Sequence, residues 1–587
     1  MKNGKVVILT LLISISAIAM LCTKVEYSAA TLNRFKSYEE LKEFLQRERF
    51  YPYYPYSSSL KSFDLQALNT MEDLDYSKTN IQVEGVDEAD VVKTDGEYIY
   101  IISGQKVIIV KAYPAEEAAV LSRITVNGTL EQLFINADRL VVFYESGLWS
   151  ETKTCINIYD ISDRANPTIK SEIAVDGQYF SSRMIGDYVY VVIRKTALLI
   201  EGEVSLPKIY SEDGCRVIPA TDIYYSNITD SGYIFTTIVT VNIFEDTQKP
   251  NDETILSGWT TCIYVSLENI YLAIGDYDKT VLHRIHIENG EISIAADGEV
   301  TGYVLNQFSM DEYEGYFRIA TTSQMTSFPE KSSPILHLQN NVYILNMDLD
   351  IVGRLENIAP GENIHSVRFM GDICYLVTFR KVDPLFVINL SDPHNPEILG
   401  ELEITGYSDY LHVYDDSHVI GVGKETVGAE EGDFSWYQGV KISLFDVTDV
   451  TEPIELAKYE IGNRGTDSPV LRDHKAFLFD KEKNLLVIPV SVAEIDESQY
   501  PNGVPPYAYG EIVWQGAYVF TISLTLEEKI MLRGNITHVE NGDVHNNSYH
   551  ITRTLYMGEV LYTISESKIK MNSLLDLSEI NELDLNG

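Results

Sequence analysis

Cysteine is scarce in this chain of 587 residues: past Cys22 only Cys155, Cys215, Cys262 and Cys374 remain, with no metal-like spacing among them. That excludes a disulfide framework and a thiolate metal knot. Three of the four lie in apolar, strand-like runs and read as small buried hydrophobes, so a single bridge in an oxidising compartment would involve the loop residue Cys215. Positive charge is scarce too. Lys plus Arg number 45 against 87 Asp plus Glu, a formal net charge of −42, and no stretch gathers the basic residues into a stripe. A general nucleic-acid binder is excluded, because phosphate binding needs a basic surface that releases counterions. The acidic excess either keeps an exported protein soluble and attracts cations or only reflects salty surroundings. Catalytic motifs are missing as well, with no HExxH pair, GxSxG elbow or complete P-loop. Gly421-Val422-Gly423-Lys424-Glu425 lacks the first glycine of a P-loop and ends in Glu. His283 and His286, three apart on a strand, point to opposite faces and cannot share a metal.

Long apolar runs are limited to one. Lys2 and Lys5 precede the uncharged stretch Val6 to Cys22, and Ser28, Ala29 and Ala30 offer a cleavage point before Thr31. Residues 1–30 therefore read as a signal peptide or, left uncleaved, as a single N-terminal membrane anchor, and the protein as secreted or extracytoplasmic. Leu21 before Cys22 is a poor fit to a lipidation signal. Helix periodicity is confined to residues 31–50, where Leu32, Phe35, Tyr38, Leu41, Phe44 and Leu45 share one stripe that requires a partner. A Pro, Tyr and Ser connector from Tyr51 to Ser59 stops that helix, and residues 31–78 are read as helix plus linker.

What remains, residues 79–587, is a repeat. The chain holds 39 Tyr and 20 Phe, and its Val, Ile and Tyr runs of strand length alternate with Gly-Asp and Asp-Gly turns. Ile158-Tyr159-Asp160-Ile161-Ser162-Asp163, Val387-Ile388-Asn389-Leu390-Ser391-Asp392 and Leu444-Phe445-Asp446-Val447-Thr448-Asp449 are one pattern written three times. Each runs from a strand into a Ser/Thr-Asp turn, with a proline four residues on. A second recurring turn, as at Gly186-Asp187 and Gly371-Asp372, separates the first two strands of each unit. Units of four strands at this period signify an all-β propeller. The turn-marked pairs start near residues 90, 131, 180, 260, 304, 364, 408, 470 and 552. That is nine by literal count; the expectation is eight blades, with one pair an insertion, because common propellers have at most eight. The longest insertion, about residues 196–232, falls in blade 3. Closure of the ring predicts that Val560–Leu585 and the Ile81-Gln82-Val83 segment complete one sheet from both chain ends.

The stretch Asn80-Ile81-Gln82-Val83-Glu84-Gly85-Val86-Asp87-Glu88-Ala89-Asp90-Val91-Val92-Lys93-Thr94-Asp95-Gly96 resembles the opening signature of a family of secreted archaeal and bacterial proteins that carry a β-propeller distantly related to WD40 repeats. Gly406-Tyr407-Ser408-Asp409-Tyr410-Leu411-His412 and Asp473-His474-Lys475-Ala476-Phe477 are similar to the same family. The resemblance implies export and a propeller. The family has no established reaction, so it supplies no catalytic residue. The Trp-Asp endings of WD40 blades and the Ser/Thr-x-Asp-x-Gly boxes of sialidase-type propellers are both absent.

In a propeller the innermost strand of each blade, strand A, lines the central channel. Its polar residues make the ligand-binding candidates Asp87, Glu88, Asp90, Arg183, Gln307, Arg368, Asp409, His412, Asp473 and His474, with Lys93, Asp311, His365 and Lys475 beside them. One reading is a site for a polar ligand or for Ca²⁺, which takes oxygen ligands; the other is that these groups pair with one another and fill the channel. The function expected is a monomeric binding module for an extracellular protein, glycan or small polar ligand. The alternative is an extracellular hydrolase or lyase using channel-mouth carboxylates and His412 or His474.

Overall fold

Strands such as Lys106–Lys111 are enclosed on both faces, which suits a sheet packed between two others. The computed structural model describes residues 32–47, 75–148, 151–225, 232–247, 249–276, 278–327, 335–380, 383–429, 434–540 and 542–586. Its strands form antiparallel four-stranded blades spanning 92–125, 129–176, 178–257, 260–301, 310–358, 363–404, 407–461, 478–536 and 553–584. The sheets thus follow the literal count of nine turn-marked pairs and not the reduction to eight. No pair is an insertion, because each carries its own sheet. Consecutive blades share an apolar interface, and the ring closes where Val92, Ile99 and Ile108 of blade 1 meet Met557, Tyr562 and Ile569 of blade 9.

Within each blade strands A to C are largely buried, whereas strand D, as in Glu397–Ile404, is half exposed and forms the outer edge. The repeated Ser/Thr-Asp turn joins strands C and D. Asp392 accepts from the His394 backbone at 3.0 Å and from the Asn395 side chain at 2.7 Å, and Asp163 and Asp449 close the equivalent turns. Each such turn leans on strand D of the blade before it. A Cβ on Gly353 would stand 2.0 Å from the Pro393 carbonyl oxygen and one on Gly400 2.5 Å from that of Val450, so only glycine admits this approach.

The insertion in blade 3 lies where expected, between Tyr188–Thr196 and Ile234–Asn242. Its Lys208–Ser211 and Gly214–Val217 extend blade 2 outward, and its Ile223–Tyr225 pairs with Asn33–Arg34. That strand shortens the expected helix to Tyr38–Arg47. Ser37 and Glu40 cap the helix start, and the apolar stripe finds its partner on the ring, with Leu41 and Leu45 in the core of blades 2 and 3. The 1–30 segment and the 51–59 connector lie outside the described residues. Among the described residues no helix is long and apolar enough to cross a membrane, and Cys155, Cys215, Cys262 and Cys374 are free thiols.

Closure differs from the expectation. Tyr76 bridges to Met557, so residues 75–77 edge strand A of blade 9, while Ile81–Val83 joins no sheet. The chain instead enters the channel. Asn80 donates to the Tyr410 hydroxyl at 3.2 Å and the His474 carbonyl at 3.0 Å, and Gln82 donates to the Gln307 and Met310 carbonyls. Val86 packs between blades 3 and 4. Asp87–Glu88 then pairs with strand A of blade 3, Asp90 bridges to Leu133 of blade 2, and Val92–Thr94 opens blade 1. Residues 75–92 thus run round the inside of the ring, and Val86, Glu88, Ala89 and Asp90 are at most 3% exposed.

Candidate functional site at the channel mouth

The charged residues expected on strand A divide into two groups, and Asp87, Glu88 and Asp90 lie not on a strand A but on the inner segment ahead of Val92–Thr94. The first fills the channel. Arg553 holds Asp90 with Nε and Nη2 at 2.8–3.1 Å and reaches Asp473 as well. Arg183 donates to Gln307 at 2.9 Å and stands 3.6 Å from Glu88, and Gln307 donates to Glu88 at 3.3 Å. Lys93 pairs with Asp87 at 2.7 Å, Lys475 bonds the Ala89 carbonyl, and Arg368 lies 5.5 Å from the Phe308 ring centre. The acidic inner segment thus sits against basic side chains of the wall. Burial raises the Glu88 carboxyl above its ordinary range despite Arg183 and Lys475. For Asp90 burial acts the same way, but Arg553 and Lys475 outweigh it and lower the carboxyl. Burial pushes Lys475 down to about 7 against the pull of Asp90.

The second group opens to solvent. A cleft of about 190 Å³ at the mouth is lined by Leu305, Phe308, Ile364 and Val470 below and by His365, Asp409, Arg472 and Asp473 above. The His365 Nδ1 to Asp409 Oδ1 distance is 3.4 Å. Both residues are the extra residue of a β-bulge in strand A: pairing skips from Ile364 to Ser366 in blade 6 and from Ser408 to Tyr410 in blade 7. A bulge turns its extra side chain out of the alternation and toward the rim. Beneath them Tyr410 bonds His412 Nδ1 at 2.9 Å, and His474 Nε2 meets the Asn80 carbonyl at 3.1 Å. Burial, with help from Arg368, lowers His412 to about 3, and burial lowers His474 well below its ordinary value. Both rings are neutral and act as packing and hydrogen-bonding groups.

Of the residues chosen from sequence, Asp409, Asp473 and His474 therefore meet in the cleft. Asp87, Glu88, Asp90, Arg183, Gln307 and Arg368 lie in the channel, and His412 sits under Tyr410. Lysine and arginine side chains stand beside Asp87, Glu88, Asp90 and Asp473, whereas Asp409 faces His365; among the described residues no three His, Cys, Asp or Glu side chains are placed to share a metal. Sequence reasoning missed Arg553, Tyr410 and Arg472. Tyr410 lies inside one quoted motif, Arg472 directly precedes the other, and Arg553 begins the ninth turn-marked pair.

A family model described as a beta propeller domain matches residues 76–577. An uncharacterized protein of Methanocaldococcus jannaschii is 28% identical over 87% of this chain and 84% of its own length. An uncharacterized protein of Archaeoglobus fulgidus is 25% identical over 87% of this chain and 85% of its own.

Proposed function

The chain belongs to the beta propeller domain family, and from that membership we propose that it is a binding module that takes a small polar ligand in the cleft at its channel mouth. One observation carries this reading: the channel is filled by residues 75–92 and by mutual ion pairs, so the cleft is where polar groups and an apolar floor meet solvent. A concave site with an apolar floor and a few convergent polar groups suits a small ligand with one apolar face. Its size fits a single sugar ring or an amino acid. The N-terminal run behind Lys2 and Lys5, which reads as an export signal, supports a role outside the cell.

The His365 and Asp409 pair is also what a hydrolase would need as an oriented base. Around His365, however, stand Asp409 and the rings of Phe379 and Tyr407, an aromatic setting that suits holding a ligand, so binding is the better reading. The test is a thermal-shift screen of free sugars and amino acids, followed by calorimetry on the hits with wild type, Asp409→Asn and Arg472→Ala. Saturable binding lost in both variants supports the proposal. Hits that survive both substitutions, or a screen without any shift, overturn it; turnover of a hit would instead favour the hydrolase.

A further inference from the structure

We propose that an aromatic ridge beside the cleft, on the mouth side of blades 7 and 8, binds the pyranose rings of a neutral glycan chain. In blade 7 strand A begins with Tyr407 opposite Lys424, and the hairpin of strands B and C continues past that point to the pair Gly428 and Ser435. Blade 8 overshoots the same way to Glu494 and Glu511 and carries the connection 495–510. Phe434, Trp436, Tyr437, Tyr507 and Tyr509 gather on these overhangs. Phe434 and Trp436 lie 5.0 Å apart at 80°, and Trp436 and Tyr507 6.0 Å apart at 62°. The Arg464 guanidinium sits 4.3–5.6 Å from the ring centres of Trp436, Tyr437 and Tyr509. Tyr507 and Tyr509 are 63% and 62% exposed.

Phe434, Tyr437, Tyr507 and Tyr509 are exposed and Trp436 is half-buried, and the backbone that carries them is pinned. Gln438 Nε2 ties the Trp436 carbonyl to that of Pro506 at 3.0 Å each, the Gly510 amide bonds the Arg464 carbonyl at 2.8 Å, and Asn463 holds the Ile495 amide at 3.0 Å. Large apolar rings kept in place in water imply an occupant, because a preformed surface loses little freedom on binding. Phe434, Trp436 and Tyr507 stand as steps, with 80° and 62° between neighbours, a narrower surface than the roughly 1,000 Å² that a protein interface requires. Aromatic faces attract the C–H face of a pyranose, and the tyrosine hydroxyls can reach its rim. Charge sets the class. Arg464 is covered by rings, Glu494 and Glu511 stand at the base, and the whole chain carries −42, so an anionic polymer is repelled and a neutral one is not. The loop between blades 7 and 8 carries Arg464 in the ridge and Arg472 in the cleft, so a chain lying on the rings leads toward the cleft. The ridge itself does not depend on the cleft reading.

The experiment is affinity electrophoresis of the full chain through gels containing soluble cellulose, xylan or mannan, with polygalacturonate as the anionic comparison. The proposal predicts retardation by at least one neutral polymer and none by polygalacturonate, with affinity lowered about tenfold in Tyr507→Ala and in Trp436→Ala and retained in Asp409→Asn. Because Tyr507 and Tyr509 are exposed, the variants Tyr507→Ala and Tyr509→Ala keep the wild-type melting temperature. Retardation unchanged in the double variant Tyr507→Ala plus Tyr509→Ala, retardation only by polygalacturonate, or no retardation in any gel overturns the proposal. So does a concentration-dependent dimer abolished by Trp436→Ala, which would make the ridge a protein interface. Loss of small-ligand binding in Asp409→Asn with polymer binding intact separates the cleft from the ridge.

Discussion

Arg553 is the side chain on which the channel's charge balance turns, since it faces both Asp90 and Asp473 at bonding distance. Removing one partner of a buried pair leaves the other charge uncompensated, at a cost of about 3–5 kcal/mol. Arg553→Met is therefore expected to lower the urea midpoint substantially, and an unchanged midpoint would show that Asp90 is not enclosed. The buried histidines give a second prediction. Burial holds His283 at about 4 and His412 and His538 at about 3, whereas an unfolded histidine gains its proton near pH ~6.5. Each thus contributes stability that is complete above pH ~6.5 and is lost as pH falls toward 4 and 3; Glu88, Glu253 and Asp297, raised in the fold by burial, work the other way. Wild type should therefore lose more melting temperature between pH 6 and 4 than a His412→Gln variant, which lacks one of these groups, and equal losses in the two proteins would contradict the assignment. At this scale the sequence was partly legible. Asp409 and Asp473 could be found because strand A could be counted. That His365 and Asp409 face the rim was not legible, because a bulge leaves the local pattern of apolar residues almost unchanged.

At the scale of the element, the device that repeats is the Ser/Thr-Asp turn of one blade set against strand D of the blade before it. The turn was readable, since Asp and Ser side chains close it locally. Its counterpart, the glycine at 353 or 400, was not, because what makes glycine necessary there is a backbone carbonyl some forty residues away. Gly353→Val should cost about 1–3 kcal/mol in denaturant unfolding through overpacking against Pro393. By contrast, nothing lies within 4 Å of a Cβ on Gly186, on the other recurring turn, so Gly186→Asn should cost less than half as much. Equal losses at the two sites would show that the approach of turn to strand is not tight. The helix from Tyr38 to Arg47 teaches the same division: its stripe was visible, but its shortened start follows from the distant pairing of Asn33–Arg34 with Tyr224 and Tyr225.

For the molecule as a whole, the propeller was legible because its repeats and turns are local, and the path of residues 75–92 was not because it depends on contacts with almost every blade. That path decides the function proposed here, since it closes the channel and leaves the mouth as the binding face. A chain threaded through its own ring also makes closure and channel filling one event: Tyr76 clips blade 9 while Asp87–Glu88 and Asp90 pair with blades 3 and 2. The most direct test is native-state hydrogen exchange followed through peptides covering residues 84–93. A filled channel predicts that the amides of Glu88 and Asp90 exchange as slowly as the blade cores, through global unfolding. Exchange of the 84–93 peptides within seconds, with the blades still protected, would mean that the channel is open and that the mouth is not its floor.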